Sequence, residues 1–478
     1  MEQYLFHKDW APDVKAALER LIDTCKAKDG STKHAYAVFD FDNTTSIFDI
    51  EEQLCIYQLS RMAFAMEPVW LRRALLTDLP EPKKMHTISP YGTFCLMDWV
   101  DDITLAYRVL WESYGPFTAK GLSEKESAEV RKNPYWSEFA VKMSCLYELV
   151  CEIAGSFVSD AWLTYWFSNM TQQELYDLTI ASSAYRSARP TERVVWSTGN
   201  CFPSKTGACK KEWIAGLSVS ENQRELMKAL HDNGIDVWIC SASAIDAVRA
   251  GIDYFGLHDS VTGLIGMTAA MKFGVFVPVY DYETGYEYIS EPGGGWRRGT
   301  HAHHTQTNGE GKVTAIRNVL WQEYGNGPVA GFMDSTGDFA FCTEFSSMRL
   351  CVCFNRGNRP VTCGGGLIAA LAMHQRDELH LNYDRASAQG DTLYVLQGRD
   401  ENGMRRFLPM NASLRLGETR PHLFADESVE RLLTAMRDMS TKEAVETFSK
   451  RTEADDRNSR LPGLAYGFTD DYCGYHSI

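Results

Sequence analysis

The chain has no CxxC pair, although it holds thirteen cysteines, an odd set scattered from Cys25 to Cys473. That spacing speaks against a disulfide framework and against a structural zinc site, both of which need sulfurs paired at short intervals. Long hydrophobic runs are missing too. No stretch of about 18 residues is apolar and uncharged, and Met1 to Trp10 carry interspersed charges where a signal segment would be apolar. Neither membrane spanning nor secretion is indicated, so a cytoplasmic chain is expected. Positive charge is the third shortage. Lys and Arg number 48 against 63 Asp and Glu, a net charge of −15. Proteins that neutralise nucleic-acid phosphates need a basic face, so no nucleic-acid partner is expected.

What is present points to a small ligand held with a cation. The apolar run Tyr36-Ala37-Val38-Phe39 leads into Asp40-Phe41-Asp42-Asn43-Thr44. A chain leaving the carboxyl end of a buried parallel strand enters the crevice where α/β sheets hold ligands, which places Asp40 and Asp42 beside a substrate. Two acids there demand a counter-cation.

The 478 residues give a length prior of about three domains. Residues 10–28 repeat apolar positions at helical spacing ahead of the first strand. From about 50 to 230 the texture is that of a helical insert: Leu54, Tyr57, Gln58, Arg61 and Met62 fall on successive turns, and eight of the twelve tryptophans lie there. The α/β pattern resumes with a helix over Arg224 to His231 and the run Ile235 to Cys240, then a helix from Ala244. A β-hairpin excursion spans about 272–300, with Val275–Tyr282 and Tyr286–Ile289 flanking Glu283-Thr284-Gly285, and Gly293-Gly294-Gly295 opens a loop. A helix begins near Lys312, a strand covers Pro328 to Met333, and another covers Arg349 to Phe354. Beyond it the spacing predicts a helix after Gly364-Gly365-Gly366, a hairpin about Glu401-Asn402-Gly403 and a helix from Ser428 to Met439. There is no repeat and no low-complexity segment.

Polar groups close four of these elements: Asp40 with Asp42, Ser241, Lys312, and Asp334 with Asp338. In a parallel sheet such ends converge on one edge. A carboxylate nucleophile attacking phosphorus needs a hard divalent ion to offset its repulsion from a phosphate, and Asp40 and Asp334 offer the oxygen ligands that suit Mg²⁺. Lys312, Ser241 and the amides after Asp40 supply donors for the phosphoryl oxygens. Asp42 is placed to protonate the leaving alkoxide and then to take a proton from water.

In this order the residues resemble the motifs of the haloacid dehalogenase superfamily of phosphohydrolases: DxDxT at Asp40 to Thr44, Ser241 after a second strand, Lys312, and DxxxD at Asp334 to Asp338. The resemblance implies a Rossmann-like parallel core over 1–50 and 231–355, a helical cap domain over 51–230, and a C-terminal extension over 356–478 packed on the core. It implies Asp40 as nucleophile and Asp42 as acid/base. Thr44, Ser241 and Lys312 would hold phosphate, and Asp40, Asp42 through its carbonyl, Asp334 and Asp338 would form the Mg²⁺ shell. The stretch around Asp40 with Glu51 and Glu52, and Gly309 to Val313, looks most like the branch holding phosphorylcholine and phosphoserine phosphatases. A lone DxDxT arises by chance in roughly one chain of this length in ten; the four motifs in order carry the resemblance.

Blander readings stand beside these. Ser241 and Ser243 can cap the following helix, and Asp338 can cap its own. His301, His303 and His304 read as a polar loop rather than a transition-metal site. Trp162 to Trp166 reads as core, or as part of an aromatic cage with Glu51 and Glu52 nearby. The first substrate expected is phosphocholine. Phosphoserine or another small phosphomonoester, phosphotransfer to another acceptor, and a non-catalytic phosphometabolite sensor are the alternatives.

Overall fold

The computed structural model describes residues 2–27, 35–199, 204–279, 285–301, 306–357, 364–403, 405–424 and 428–455. An eight-stranded sheet lies at its centre, in the order Gly295–Arg298, Glu287–Glu291, Gly263–Met267, Ile235–Ala244, Ala35–Phe39, Ala330–Met333, Leu350–Phe354 and Leu393–Gln397. The strands from Gly263–Met267 to Leu393–Gln397 are parallel, and Glu287–Glu291 and Gly295–Arg298 extend one edge antiparallel. This is a mixed α/β architecture with a Rossmann-like, mostly parallel sheet.

Burial on both faces explains the unbroken apolar runs of its strands. Ala37 and Phe39, with Val237, Ile239 and Phe332, pack against helix Pro12–Cys25 through Val14, Leu18 and Leu21. Tyr36 and Val38, with Trp238 and Met333, face helices Glu310–Ile316 and Gly364–Asp377 through Val313, Ile316 and Ile368. Phe39 and Phe332 stack at 3.8 Å between centroids. The register sets Phe39 beside both Ile239 and Phe332. Asp40, Ser241 and Asp334 therefore come within two residues of the last paired positions at one sheet edge.

Between the strands Ala35–Phe39 and Ile235–Ala244 the chain builds a separate apolar core from helices Ile50–Arg61, Pro68–Leu76, Leu96–Tyr114, Pro134–Ala154, Ser156–Leu163 and Gln172–Ser187. The helix ends have local causes. Asp49 caps Ile50–Arg61 by accepting from the Glu52 amide, and Met62 ends it in the left-handed region. Thr171 and Glu174 form a capping box on Gln172–Ser187. The insert is not purely helical: Glu192–Ser197 pairs antiparallel with Lys210–Ala215, as the β-branched and aromatic run Val194-Val195-Trp196 favours.

Several expectations are corrected. Val275–Phe276 pairs with Met271–Lys272, not with the segment after residue 285. The larger hairpin joins Glu287–Glu291 to Gly295–Arg298, and Gly293 and Gly294, both at positive φ, form its turn instead of opening a loop. Of the strand expected over 275–282, the described part ends at Phe276, ahead of Pro278, which has no amide to donate. Tyr280 to Tyr282 of the expected strand, and Glu283 and Thr284 of the expected turn, lie outside the described residues. The sheet does not stop at residue 355, because the fully buried Leu393–Gln397 pairs with Leu350–Phe354. The Ile235–Ala244 strand runs past Ser241, with a register break between Cys240 and Ala244. The hairpin near 401–403 forms between Arg399–Asp400 and Arg406–Phe407. Among the described residues the cysteines are free thiols, and no helix is long and apolar enough to cross a membrane.

One packing contact tests the register. A Cβ added at Gly263 would lie 2.3 Å from the Trp238 ring, so Gly263→Ala is expected to cost about 1–3 kcal/mol, read as a lower urea midpoint. Gly403→Ala, which meets nothing within 4 Å, should change stability by less than about 0.5 kcal/mol. Equal midpoints for the two variants would contradict this packing.

Candidate active site

Lys312 is the centre of the acidic sheet edge. Its Nζ lies 2.7 Å from Asp40 Oδ1 and 2.5 Å from Asp338 Oδ1, with the side chain 1% exposed. Two elements bring these groups together. Gly309, at φ 54°, starts helix Glu310–Ile316, and its amide donates to Gly337 O at 2.9 Å, which joins the Lys312 turn to the Asp338 turn. The Asp40 amide donates to Phe332 O at 3.0 Å, which carries the strand ladder to Asp40. Asp338 sits at the start of helix Phe339–Glu344, yet its side chain makes no capping bond there; it is spent on Lys312.

Asp334 completes the group. Thr44 Oγ1 donates to Asp334 Oδ1 at 3.3 Å, and Arg356 Nη1 lies 2.8 Å from Asp334 Oδ2. Carboxylate oxygens of Asp40, Asp334 and Asp338 lie within 4.8 Å of one another. Burial, then Asp338, pushes the Asp40 carboxyl well above its usual range despite Lys312. Burial also raises Asp338 against the pull of Lys312. For Lys312 burial alone would lower the pKa, but Asp338 and Asp40 outweigh it and raise it. Asp338 Oδ2 is buried with no hydrogen-bond partner among the described residues. Three converging carboxylates, an orphaned oxygen and hard donors throughout fit a divalent cation.

Asp42 faces the other way from the same loop. Its Oδ1 accepts from the Ile50 amide at 2.6 Å, and its Oδ2 from Ser243 Oγ at 2.6 Å and from Ser241 Oγ at 3.4 Å. Burial, then Asp49 and Asp40, raises its carboxyl well above the usual range. The Asp42 carboxylate is thus not one of the three that converge. Ser241 accepts from the Ser243 amide at 3.1 Å, and Thr307 Oγ1 donates to Ser241 O at 2.5 Å. Ser243 acts on Asp42 and does not cap the next helix.

A cavity of about 440 Å³ opens beside this edge. Asn43, Asp49, Glu51, Tyr147, Trp166 and Arg356 line it, with Glu52, Lys211 and Trp213 at its other walls. Burial, then Asp49, raises the Glu51 carboxyl to about 8. Lys211 pairs with Glu148 and Arg356 with Asp334, so the acids of the lining outnumber its uncommitted cations. Trp166 faces the cavity, whereas Trp162 is core and donates to Leu75 O at 3.3 Å. His301 lies 2.7 Å from Glu287, on the antiparallel strand Glu287–Glu291; His303 and His304 lie outside the described residues. Sequence reading missed Arg356, although it follows the Leu350–Phe354 strand by two residues, the signal that singled out Asp334.

The fold and site define an α/β chain with an acidic, lysine-centred pole at the carboxyl ends of its parallel strands. No protein-family model matches the chain, and no curated protein matches it. A solved structure described as a conserved, functionally unknown protein from Anaerococcus prevotii DSM 20548 is similar at a TM-score of 0.66 and 23% identity, over 88% of this chain and 100% of that chain. That likeness is one of fold. The structure of cytosolic 5'-nucleotidase IIIB bound to cytidine covers 72% of this chain and 78% of that chain at 11% identity, but its TM-score of 0.28 is too slight to carry argument.

Glu51 gives the site a pH signature. With a folded pKa of about 8 against 4.5 for the free side chain, the folded chain keeps a proton that the unfolded chain releases. This contribution to stability is full below about pH 4.5, declines as pH rises, and is gone above about pH 8. It amounts to a few kcal/mol, roughly. Glu51→Gln should flatten the fall in denaturant-derived stability between pH 5 and 8, roughly the window between the two pKa values; parallel curves for wild type and variant would contradict the assignment.

Proposed function

We propose that the chain is a Mg²⁺-dependent phosphomonoesterase that works through an aspartyl-phosphate on Asp40. The observation that carries this reading is the buried Asp40–Lys312–Asp338 contact, with Asp334 converging on it and one Asp338 oxygen left without a partner. A carboxylate fixed by a lysine at a strand end is aimed where a phosphoryl group can be attacked, and the same lysine can then hold the phosphoryl oxygens. Asp40, Asp334 and Asp338, with the carbonyl of Asp42, would hold Mg²⁺, which supplies positive charge against the phosphoryl oxygens when bound.

The chain's own groups account for both halves of the reaction. An Asp40 oxygen bonds to phosphorus as the bond to the leaving oxygen breaks. Asp42, whose raised pKa favours the protonated carboxyl, gives its proton to that oxygen. The resulting Asp42 carboxylate takes a proton from the water that attacks the phosphoenzyme, and phosphate leaves Asp40. Thr44 and Ser241 offer hydroxyl donors to the phosphoryl group, and the insert acts as a cap over the cavity.

The leaving group we assign first is choline. Asp49 supplies negative charge beside the aromatic faces of Tyr147, Trp166 and Trp213, which together favour a quaternary ammonium.

Hydrolysis of p-nitrophenyl phosphate should require Mg²⁺ and stop on chelation, and Asp40→Asn should lower kcat by on the order of 10³-fold or more. Turnover that survives Asp40→Asn would remove Asp40 as nucleophile. For the leaving group, kcat/KM for phosphocholine should exceed that for phosphoserine by about tenfold; the reverse order would reject the cationic pocket.

A further inference from the structure

The segment beyond residue 355 delivers a buried arginine onto the loop between Asp42 and Thr44. Arg399 is 1% exposed. Its Nη1 donates to Asn43 O at 2.5 Å and its Nη2 to Asn43 Oδ1 at 3.2 Å. Nε and Nη2 also donate to Glu401 Oε1, at 3.0 and 2.7 Å. The backbone behind this side chain is fixed as well. Arg399 follows the sheet strand Leu393–Gln397 by two residues, its amide donates to Ser413 Oγ at 2.8 Å, and the Leu414 amide donates to its carbonyl at 2.9 Å.

Asn43 is a residue that needs holding. At φ 60° and ψ 0° it occupies the left-handed region, which costs a side chain other than glycine. Its own amide bond, to Phe48 O, is long at 3.4 Å. Through this reversal Asp42 faces Ser243 and the Ile50 amide while Thr44 faces Asp334. If Asn43 relaxed to an extended or right-handed conformation, both neighbours would swing away from those partners.

We propose that Arg399 is a positioning residue of the phosphoryl-transfer site: by clamping the carbonyl and side-chain oxygens of Asn43 it aims Asp42 and Thr44 without touching substrate. The proposal rests on the reading of the site as a phosphatase centre. Arg399 is not among the residues lining the cavity, so its influence passes through the loop. The fork geometry matters, because one planar group serves two acceptors on Asn43 and a carboxylate on Glu401. A lysine would keep the charge that Glu401 needs but could not span both partners.

Arg399→Lys, chosen because it leaves Glu401 with a cation, is tested in a cycle with Asn43→Gly, which keeps the left-handed turn and removes the Oδ1 acceptor. With p-nitrophenyl phosphate and Mg²⁺, Arg399→Lys should lower kcat by about 100-fold while KM moves less than about threefold, the pattern of lost alignment with binding kept. In the Asn43→Gly background the same change should cost about tenfold less, because the clamp has lost part of its target. An unchanged kcat, a rise in KM that accounts for the loss, or additive effects would overturn the proposal. Should the wild-type chain show no Mg²⁺-dependent turnover, the phosphatase reading fails, and hydrogen exchange still decides the clamp. Arg399→Lys must then speed exchange at amides 41–48 and leave helix Pro134–Ala154 unaltered; equal protection of the loop in both proteins would overturn it.

Discussion

One ammonium group between two buried carboxylates organises this molecule's chemistry. Lys312 reaches Asp40 from one strand end and Asp338 from another, and none of the three is accessible enough to be solvated by water. Such a cluster is poor evidence for stability, since the cost of desolvating three charges offsets most of their attraction. Its persistence in the core of an α/β sheet is better explained by function. The arrangement gathers three carboxyls around Lys312 and Arg356, and leaves an oxygen of Asp338 without a partner among the described residues.

The sheet edge holds the carboxylate cluster, and the insert contributes part of the cavity wall. Asp40, Ser241 and Asp334 are placed by strand register, whereas Tyr147 and Trp166 come from elements with an apolar core of their own. The two parts are stitched close to Lys312: Asn308 Nδ2 donates to Asp160 Oδ2 at 2.9 Å, and Gln306 Nε2 to Phe157 O at 2.6 Å. Asp160 also accepts from Tyr147 at 3.1 Å, so one carboxylate links the cavity wall to the lysine loop. Under the proposed function, a division of this kind would let the insert set the leaving group while the reacting groups stay fixed.

The parts of this arrangement that were legible in the sequence are those with a local signal. Tyr36 to Phe39, Val237 to Ile239 and Ala330 to Met333 read as strands because burial on both faces demands continuous apolar runs, and the polar residues closing them then fall on one edge. Lys312 was legible because Gly309 and Gly311 open its helix. The hairpin near residue 290 was misplaced because β-branched residues around Pro278 outweighed the two glycines that actually turn the chain. Arg399 carried no signal at all: its partner Asn43 lies 356 positions away, and a buried arginine in a polar-looking hairpin is indistinguishable in sequence from a solvated one. Arg356 was readable by the strand-end rule and was overlooked because no motif extends to it.

Covalent capture of the phosphoryl group tests the central claim most directly. When the chain is mixed with Mg²⁺ and p-nitrophenyl phosphate, quenched in acid and digested, the peptide containing Asp40 should gain the mass of one phosphoryl group. That gain should vanish with Asp40→Asn. Phosphate released at full rate with no modified peptide, or a phosphoryl group carried on another residue, would contradict the account.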